Sequence, residues 1–415
     1  MRESASGMAN NTPAREVPAR EGLPWTILAA AFGAIAILKG IRRPNLWAAT
    51  QAQIGYDHGF VKRGLFGALA RSLSLGLEKY SRFALVSEIL LAIVVIGFAW
   101  YICKSRELRA QDRGLLIAAF AASFAVTVLA HLVGYLDIPL LGLALLVLCL
   151  RGATQAGAAL VCAVAGILIH ELYFLVFLPV TILPLFLAAL KRPAEKRGFA
   201  VIAFILIIAV AAVEMCAHGR SLNALQAVEL RQEVAGRVDF PVDAEFFDVL
   251  ARSASDNLGI MRSVWAGSNN WAAPNYWPQQ VYIGIATLPP AILFLYVTLR
   301  SVGRFSGWRR CAALMAAAIA SLSPLLMHAL GWDIARWDCL TVVTAFLAMS
   351  VCLHDSTPLE LHTRLRVAVV CVIGIGLAAG PGLMDGQNIT PFPFAPDVTF
   401  LHQMVRSGHI PTPSK

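Results

Sequence analysis

This chain of 415 residues is too apolar and too poor in charge for a soluble protein. Hydrophobic side chains make up 58% of it, charged side chains only 14%, and the mean hydropathy is +0.67, whereas soluble chains carry roughly 25% charged residues. The net charge of +9 does not indicate nucleic-acid binding, because the cations stand beside apolar runs and no soluble basic domain is present. These features predict a polytopic membrane protein.

The eight cysteines lie inside or at the ends of apolar runs, and no CxxC pair occurs among them. A disulfide framework or a zinc site would place cysteines in aqueous loops at ligand spacing. The cysteines are therefore interpreted as small apolar side chains of the helices.

The chain begins with a polar segment and continues as a series of apolar runs. Residues 1–22 are rich in Pro, Arg and Glu and are predicted to be a disordered cytoplasmic N-terminus. A helix needs about 20 apolar residues to cross a bilayer. Eleven runs approach that length, at 24–41, 83–103, 114–134, 138–151, 157–171, 172–190, 199–217, 279–300, 311–330, 337–353 and 366–382. We predict an all-α fold with one transmembrane domain over 23–382 and an outer C-terminal tail over 383–415.

Basic loops between the runs indicate the orientation of the helices. They lie at 104–113, 191–197, 300–310 and 364–366. All of them fall on one side if the helices alternate, and the positive-inside rule makes that side cytoplasmic. The N-terminus is then inside and the C-terminal tail outside.

Two long segments face outward in this topology. Residues 218–280 form a large outer loop, in which 222–238 and 243–261 are predicted amphipathic helices and 265–280 an irregular loop. Residues 42–82 form the first outer loop, with seven cations against two acids. Such an excess is unfavourable on the translocated side, which indicates either an anionic ligand or a miscounted helix.

Four groups of ionisable residues fall at the outer membrane boundary. They are Asp57, His58, Lys62 and Arg63 in "GYDHGFVKRG"; His131 and Asp137; His170 and Glu171; and His328, Asp333, Arg336 and Asp338. Ionisable groups there are costly unless they are paired or face water, so they are functional candidates. Interfacial anchoring is the alternative, and it accounts for Trp332, Trp337 and Tyr135 better than for the acids.

The residue types in these groups suit one kind of reaction. An acid near histidine and cations can remove a proton from a hydroxyl while the cations stabilise a departing phosphate. Moving a sugar from a lipid phosphate to an acceptor hydroxyl requires this chemistry. A proton-coupled transporter would need acids near the membrane midplane, and the helix interiors carry only Glu88 and Glu214. No GxSxG, P-loop or HExxH motif is present, since Phe174 stands where the second histidine would be.

The pattern resembles the GT-C class of integral membrane glycosyltransferases, which use polyprenyl-phosphate-linked donors. The resemblance rests on Asp57 directly after the first helix, Asp137 opening a helix after the next outer turn, about eleven helices and a large outer loop. "GWDIARW" at 331–337 is also similar to short motifs of bacterial polysaccharide polymerases. Two features depart from the class: His58 stands where many members have a second acid, and the C-terminal tail is shorter than their soluble domain.

The resemblance implies a bacterial inner-membrane enzyme with Asp57 as general base. In this hypothesis His58 or Asp333 orients the acceptor hydroxyl. The phosphate is bound by Lys62, Arg63 and Arg336. Supporting or acceptor-binding roles fall to Asp137, His170, Glu171 and His328. A divalent cation held by Asp57, Asp137 and Glu171 is left open.

The predicted partners are a polyprenyl-phosphate-linked sugar, a glycan or lipid acceptor and the membrane lipids, without nucleic acid. Three alternatives remain at this point. A polysaccharide repeat-unit polymerase or ligase would use the same face with a larger donor. A transporter of an anionic lipid or solute would use the cations for steering, and a non-catalytic scaffold of an envelope complex would need no reaction.

Overall fold

The computed structural model consists of helices joined by turns and short loops. It describes residues 23–57, 59–104, 111–192, 196–218, 222, 224–269, 273–331, 333–353 and 361–380, so the predicted N-terminus and C-terminal tail lie outside the described residues. The first half contains α1 Leu23–Gly40, α2 Leu46–Gln51, α3 Leu65–Ser72, α4 Tyr80–Lys104, α5 Gln111–Ala122, α6 Phe124–His131, α7 Asp137–Cys149, α8 Gly152–Ile169 and α9 Tyr173–Val176. The second half contains α10 Leu178–Lys191, α11 Arg197–His218, α12 Ala224–Arg237, α13 Ala244–Ala251, α14 Ala254–Trp265, α15 Ala273–Ser301, α16 Gly307–Leu322, α17 Ile334–Leu353 and α18 Thr363–Ala378.

Each of the eleven apolar runs coincides with a helix or a broken helix, which is compatible with a polytopic membrane protein. Within the described ranges, seven helices are long and apolar enough to cross a membrane, and α5 with α6, bent by 44° at their junction, would make an eighth. The predicted count of eleven spans is not established, because some helices are short. The 13 residues of α7 extend about 20 Å at 1.5 Å per residue, against about 30 Å of hydrocarbon.

Helix α17 is the centre of the bundle. All of its residues are buried, and it packs mainly against α15 and α16. Its polar hydroxyls are satisfied within the helix, as in the hydrogen bond from Thr341 Oγ1 to the carbonyl of Trp337 at 2.9 Å. By contrast, only about a third of α4 and α11 is buried, so these helices present a broad apolar outer surface.

A cap of short helices covers one end of the bundle. The predicted amphipathic helices are present as α12, α13 and α14, and the second prediction is divided at Arg252 and Ser253. A capping box between Ser253 and Asp256 starts α14 there, because the serine accepts from a free backbone N–H of the first turn. The predicted irregular loop 265–280 is wrong from Ala273 onward, where α15 begins.

Several helix ends meet beneath this cap. The predicted turn at His170 and Glu171 is confirmed, since α8 ends at Ile169 and α9 begins at Tyr173. Nearby, α6 ends at His131, α7 begins at Asp137, and Asp333 directly precedes α17. Breaks in membrane helices leave unpaired backbone groups, which are tolerated only where protein or water surrounds them. This junction is therefore the place where a polar site can be built.

Candidate functional site

A cavity of about 800 Å³ lies between the cap and the bundle. Its cationic lining residues are Arg42, Lys62, Arg63, Arg252 and Arg336, its acids are Glu171, Glu245 and Asp333, and its histidines are His131 and His170. Five cations against three acids give a formal charge of +2 with both histidines neutral. A positively charged cavity of this size suits a small anionic ligand.

The first charged unit joins the first outer loop to the turn between α8 and α9. Arg63 Nε lies 3.1 and 3.0 Å from the two carboxylate oxygens of Glu171, and a guanidinium in this position forms strong charge-assisted bonds. Burial alone would raise the pKa of Glu171, but the charge and hydrogen bonds of Arg63 outweigh it and hold that pKa well below its ordinary value. Burial, with Arg63, lowers the pKa of His170 to about 4, so this histidine is neutral at pH 7.

The second charged unit is centred on Arg336 of α17. Its Nη2 lies 2.8 Å from Asp137 Oδ2 and its Nε lies 3.1 Å from Oδ1. The guanidinium carbon is 5.3 Å from the ring centre of Tyr135 and 4.7 Å from that of Trp337, both within the range of cation–π attraction. Asp137 is fully buried behind Arg336 and is not among the cavity-lining residues. Asp137 therefore positions the arginine.

Asp333, directly before α17, is the second acid beside this arginine. Its Oδ2 lies 3.7 Å from Arg336 Nη1, its side chain is 45% exposed, and it lines the cavity. Desolvation by the surrounding protein raises the pKa of Asp333, although Arg336 opposes the shift. An accessible carboxylate with a raised pKa is a better proton acceptor than an ordinary aspartate.

Two further cations are fixed by neutral backbone oxygens. Lys62 Nζ donates to the carbonyl of Arg252 at 2.6 Å, and Arg42 Nε donates to the carbonyl of His131 at 2.9 Å. Because a carbonyl carries no net charge, the contact with Arg252 holds the Lys62 ammonium in place without neutralising it. Burial lowers the pKa of Lys62, and Glu171 partly opposes that effect.

Among the predicted site residues that the structure describes, Asp57, His328 and Asp137 do not line the cavity. Asp57 Oδ2 lies 2.7 Å from Arg71 Nη2 and 4.0 Å from Arg237 Nη1, its side chain is 53% exposed, and it does not line the cavity. His328 Nε2 lies 2.8 Å from Asp338 Oδ1 and is also outside the lining. His58 lies outside the described residues. The structure thus brings together Lys62, Arg63, His170, Glu171, Asp333 and Arg336.

The acids proposed as metal ligands are engaged with separate arginines. Asp57 pairs with Arg71, Asp137 with Arg336 and Glu171 with Arg63. Across the part of the chain that the structure describes, no three His, Cys, Asp or Glu residues are grouped as metal ligands would be. None of the seven cysteines whose side chains the structure describes forms a disulfide, in line with their interpretation as apolar side chains.

The sequence alone did not single out several lining residues. Trp47 and Gln51 come from α2, and Glu245 and Arg252 come from α13 and its end. The spacing of Trp47 and Gln51 is one signal that could have been used. Residues four apart lie on the same face of a helix, so these two side chains are expected to face the same way. For Arg252 the signal is the capping sequence that follows it, which breaks the helix and exposes the carbonyl that Lys62 binds.

Comparison with models of known protein families, with curated proteins and with solved structures gives no match for this chain. The resemblance to the GT-C class therefore rests on the residues and topology described for it above. Any function must be argued from the cavity itself.

Proposed function

We propose that this chain is a membrane glycosyltransferase. It moves a sugar from a polyprenyl-phosphate-linked donor to an envelope glycan or lipid acceptor, on the outer face of a bacterial inner membrane. The observation that carries the proposal is the cavity in which Asp333 lies beside Arg336 among four other cations. Proton removal and phosphate stabilisation need such an arrangement.

In the proposed reaction, Asp333 acts as the base and the cations of the cavity bind the phosphate. Asp333 removes the proton from the acceptor hydroxyl, and that oxygen attacks the anomeric carbon of the donor sugar. The bond from the anomeric carbon to the phosphate oxygen breaks, and its electron pair leaves with the polyprenyl phosphate. Arg336, Arg63 and Lys62 stabilise the negative charge that develops on this phosphate, which is most effective where water is excluded.

Asp57 was the base implied by the resemblance, and its position argues for a supporting role. The Arg71 that pairs with Asp57 also donates to the carbonyl of Gln53 at 2.9 Å, and Arg237 of α12 donates to the same carbonyl at 2.9 Å. This cluster fastens the first outer loop to the cap. We therefore place the base at Asp333 and test both acids.

The test measures transfer of radiolabelled sugar in membranes that contain the full chain, with a panel of polyprenyl-phosphate hexoses and pentoses. Asp333→Asn should reduce the rate at least about 100-fold, the lower end of what a general base contributes. Asp248→Asn removes the same charge from an exposed position of α13 outside the cavity and should leave the rate unchanged. Full activity in Asp333→Asn with loss in Asp57→Asn would return the base to Asp57.

The products of the same assay separate this function from its alternatives. A cavity of about 800 Å³ is within the usual range of roughly 300–1,000 Å³ for small-ligand sites, which favours a single sugar over a long repeat unit. Transfer of one sugar per acceptor is expected. Lengthened chains would identify a polymerase, and movement of the lipid without covalent change would identify a transporter.

A further inference from the structure

Gln51 of α2 has a buried amide group that the protein itself does not satisfy. The side chain is 2% exposed and lines the cavity, and its Nε2 has no hydrogen-bond partner among the described residues. Buried donors without partners are uncommon in native proteins, because the lost hydrogen bond to water is not replaced. A ligand oxygen in the cavity would supply the missing acceptor.

Trp47 stands next to this amide. It lies one helical turn before Gln51, so both side chains project from the same face of α2, and both line the cavity. The ring of Phe246 holds the indole edge-on, with ring centres 5.4 Å apart at an angle of 85°. Trp47 is therefore a fixed aromatic surface beside an unsatisfied donor.

Glu245 of α13 adds an acceptor to the same wall. Helix α13 is attached to α2, since Thr50 Oγ1 accepts a hydrogen bond from the Asp243 amide at 2.9 Å. Asp243 in turn caps α13 by accepting from the Phe246 amide at 3.1 Å. These contacts hold α2 and α13 together as one preformed wall of the cavity.

The chemistry of this wall differs from that of the cationic side. A phosphate would accept from Gln51 but would be repelled by the carboxylate of Glu245. A hydroxyl group can accept from Gln51 and donate to Glu245 at the same time. A sugar ring also offers an apolar C–H surface that packs on an indole. The combination selects a neutral, polyhydroxylated ring.

We propose that Trp47, Gln51 and Glu245 form the sugar-binding subsite of this cavity, in which Gln51 donates a hydrogen bond to a hydroxyl oxygen of the sugar. The inference rests on the proposed function for the identity of the sugar-bearing substrate. In this arrangement the sugar ring is bound by the wall of α2 and α13, and the phosphate is bound by the cationic side of the cavity.

The subsite can be tested by binding, without any transfer reaction. The full chain is placed in lipid nanodiscs free of sugar-based detergent, and methyl hexosides and methyl pentosides are screened by saturation-transfer NMR. Gln51→Leu should weaken glycoside binding at least tenfold. Gln232→Leu changes an exposed glutamine of α12 and should bind as the wild type does. Binding of a short prenyl phosphate is measured in parallel and should change less than twofold in either variant.

A melting curve of the empty protein distinguishes ligand binding from a structural role. If the Gln51 amide serves to bind a ligand, Gln51→Leu removes an unsatisfied donor from the ligand-free protein. The Tm of this variant should then equal or exceed that of the wild type. A lowered Tm, unchanged glycoside binding in Gln51→Leu, or no glycoside binding by the wild type would each overturn the subsite. Absence of prenyl phosphate binding would instead contradict the proposed donor, while the glycoside result would still decide the subsite.

Discussion

At the scale of single residues, Arg63 has the most unusual backbone of the site. Its φ is +65°, and Arg63 and Ser74 are the non-glycine residues with positive φ in the described chain. A side chain in this left-handed region costs roughly 1–2 kcal/mol. The strain is offset by the bidentate contact with Glu171, which fixes the cation at the wall of the cavity.

Replacing Arg63 by glycine and by alanine separates the strain from the ion pair. Both variants lose the contact with Glu171, so both should melt below the wild type. Arg63→Ala keeps a Cβ in the left-handed region and should be less stable than Arg63→Gly by about 1 kcal/mol. Thermal unfolding in nanodiscs gives the order of the two Tm values, and an alanine variant as stable as the glycine variant would contradict the argument.

The pKa of Asp333 predicts the pH dependence of transfer. The base must be ionised, so the rate should rise with pH through its pKa, which desolvation by the neighbouring protein and the charge of Asp137 raise above the ordinary aspartate value of about 3.9. Arg336, Asp137 and Arg42 are the other charged groups that act on it. A pH–rate profile should show this acid limb at a higher pH than an ordinary aspartate would give, and the limb should be absent from the residual activity of Asp333→Asn. A wild-type limb at the ordinary aspartate value would contradict the assignment.

At the scale of elements, close packing of α18 on the junction between α5 and α6 supports the bundle. The junction bends by 44° at Ser123, where Ser123 Oγ donates to the carbonyl of Phe120 at 2.7 Å. Gly376 of α18 lies against it, and a Cβ there would stand 2.3 Å from the carbonyl oxygen of Ala122. Small residues allow membrane helices to approach this closely.

Two glycines on the same helix provide a matched test of this packing. Gly376→Ala should destabilise the protein by about 1–3 kcal/mol, the usual cost of forcing extra volume into a packed interface. Gly374 lies on an open part of α18, where no atom is within 4 Å of an added Cβ. Gly374→Ala should therefore leave the stability of the protein unchanged or raise it slightly. Melting temperatures of the two variants decide the point, and equal values would exclude a packing role for Gly376.

At the scale of the whole molecule, contacts between distant parts of the chain build the cavity. Arg63 and Glu171 are 108 residues apart, Lys62 and Arg252 are 190 apart, and Arg336 and Asp137 are 199 apart. The cap and the bundle each contribute only part of the lining. The cavity therefore exists only when the cap and residues 42–82 have folded onto the helix ends.

The proposed topology predicts opposite labelling of the two ends of the bundle. Gln232 is exposed on α12 of the cap, and Trp308 is exposed at the start of α16. The 16 residues of α16 extend about 24 Å, so Trp308 lies at the end of the bundle opposite the cavity. In a cysteine-free background, Gln232→Cys should react with an impermeant thiol reagent on intact cells. Trp308→Cys should react only after permeabilisation. Labelling of both from the same side would exclude the outer-face assignment.

The sequence by itself determined that the apolar runs form helices and that one of them breaks at His170 and Glu171. Uniform apolar runs must form helices because backbone groups in lipid can be satisfied only within the segment. The turn at His170 and Glu171 could be predicted because two ionisable residues interrupt an apolar run that is too long for one crossing. These properties depend on neighbouring residues and on the solvent, so local patterns are sufficient to predict them.

Only the tertiary structure decided which charges belong together. The sequence could not show that Asp57 pairs with Arg71 while Asp333 faces the cavity, nor that Gln51 lies buried without a partner. Pairing of charges depends on distances of a few ångströms between segments that are far apart in the chain. No local pattern contains those distances, because the packing of the cap on the bundle sets them.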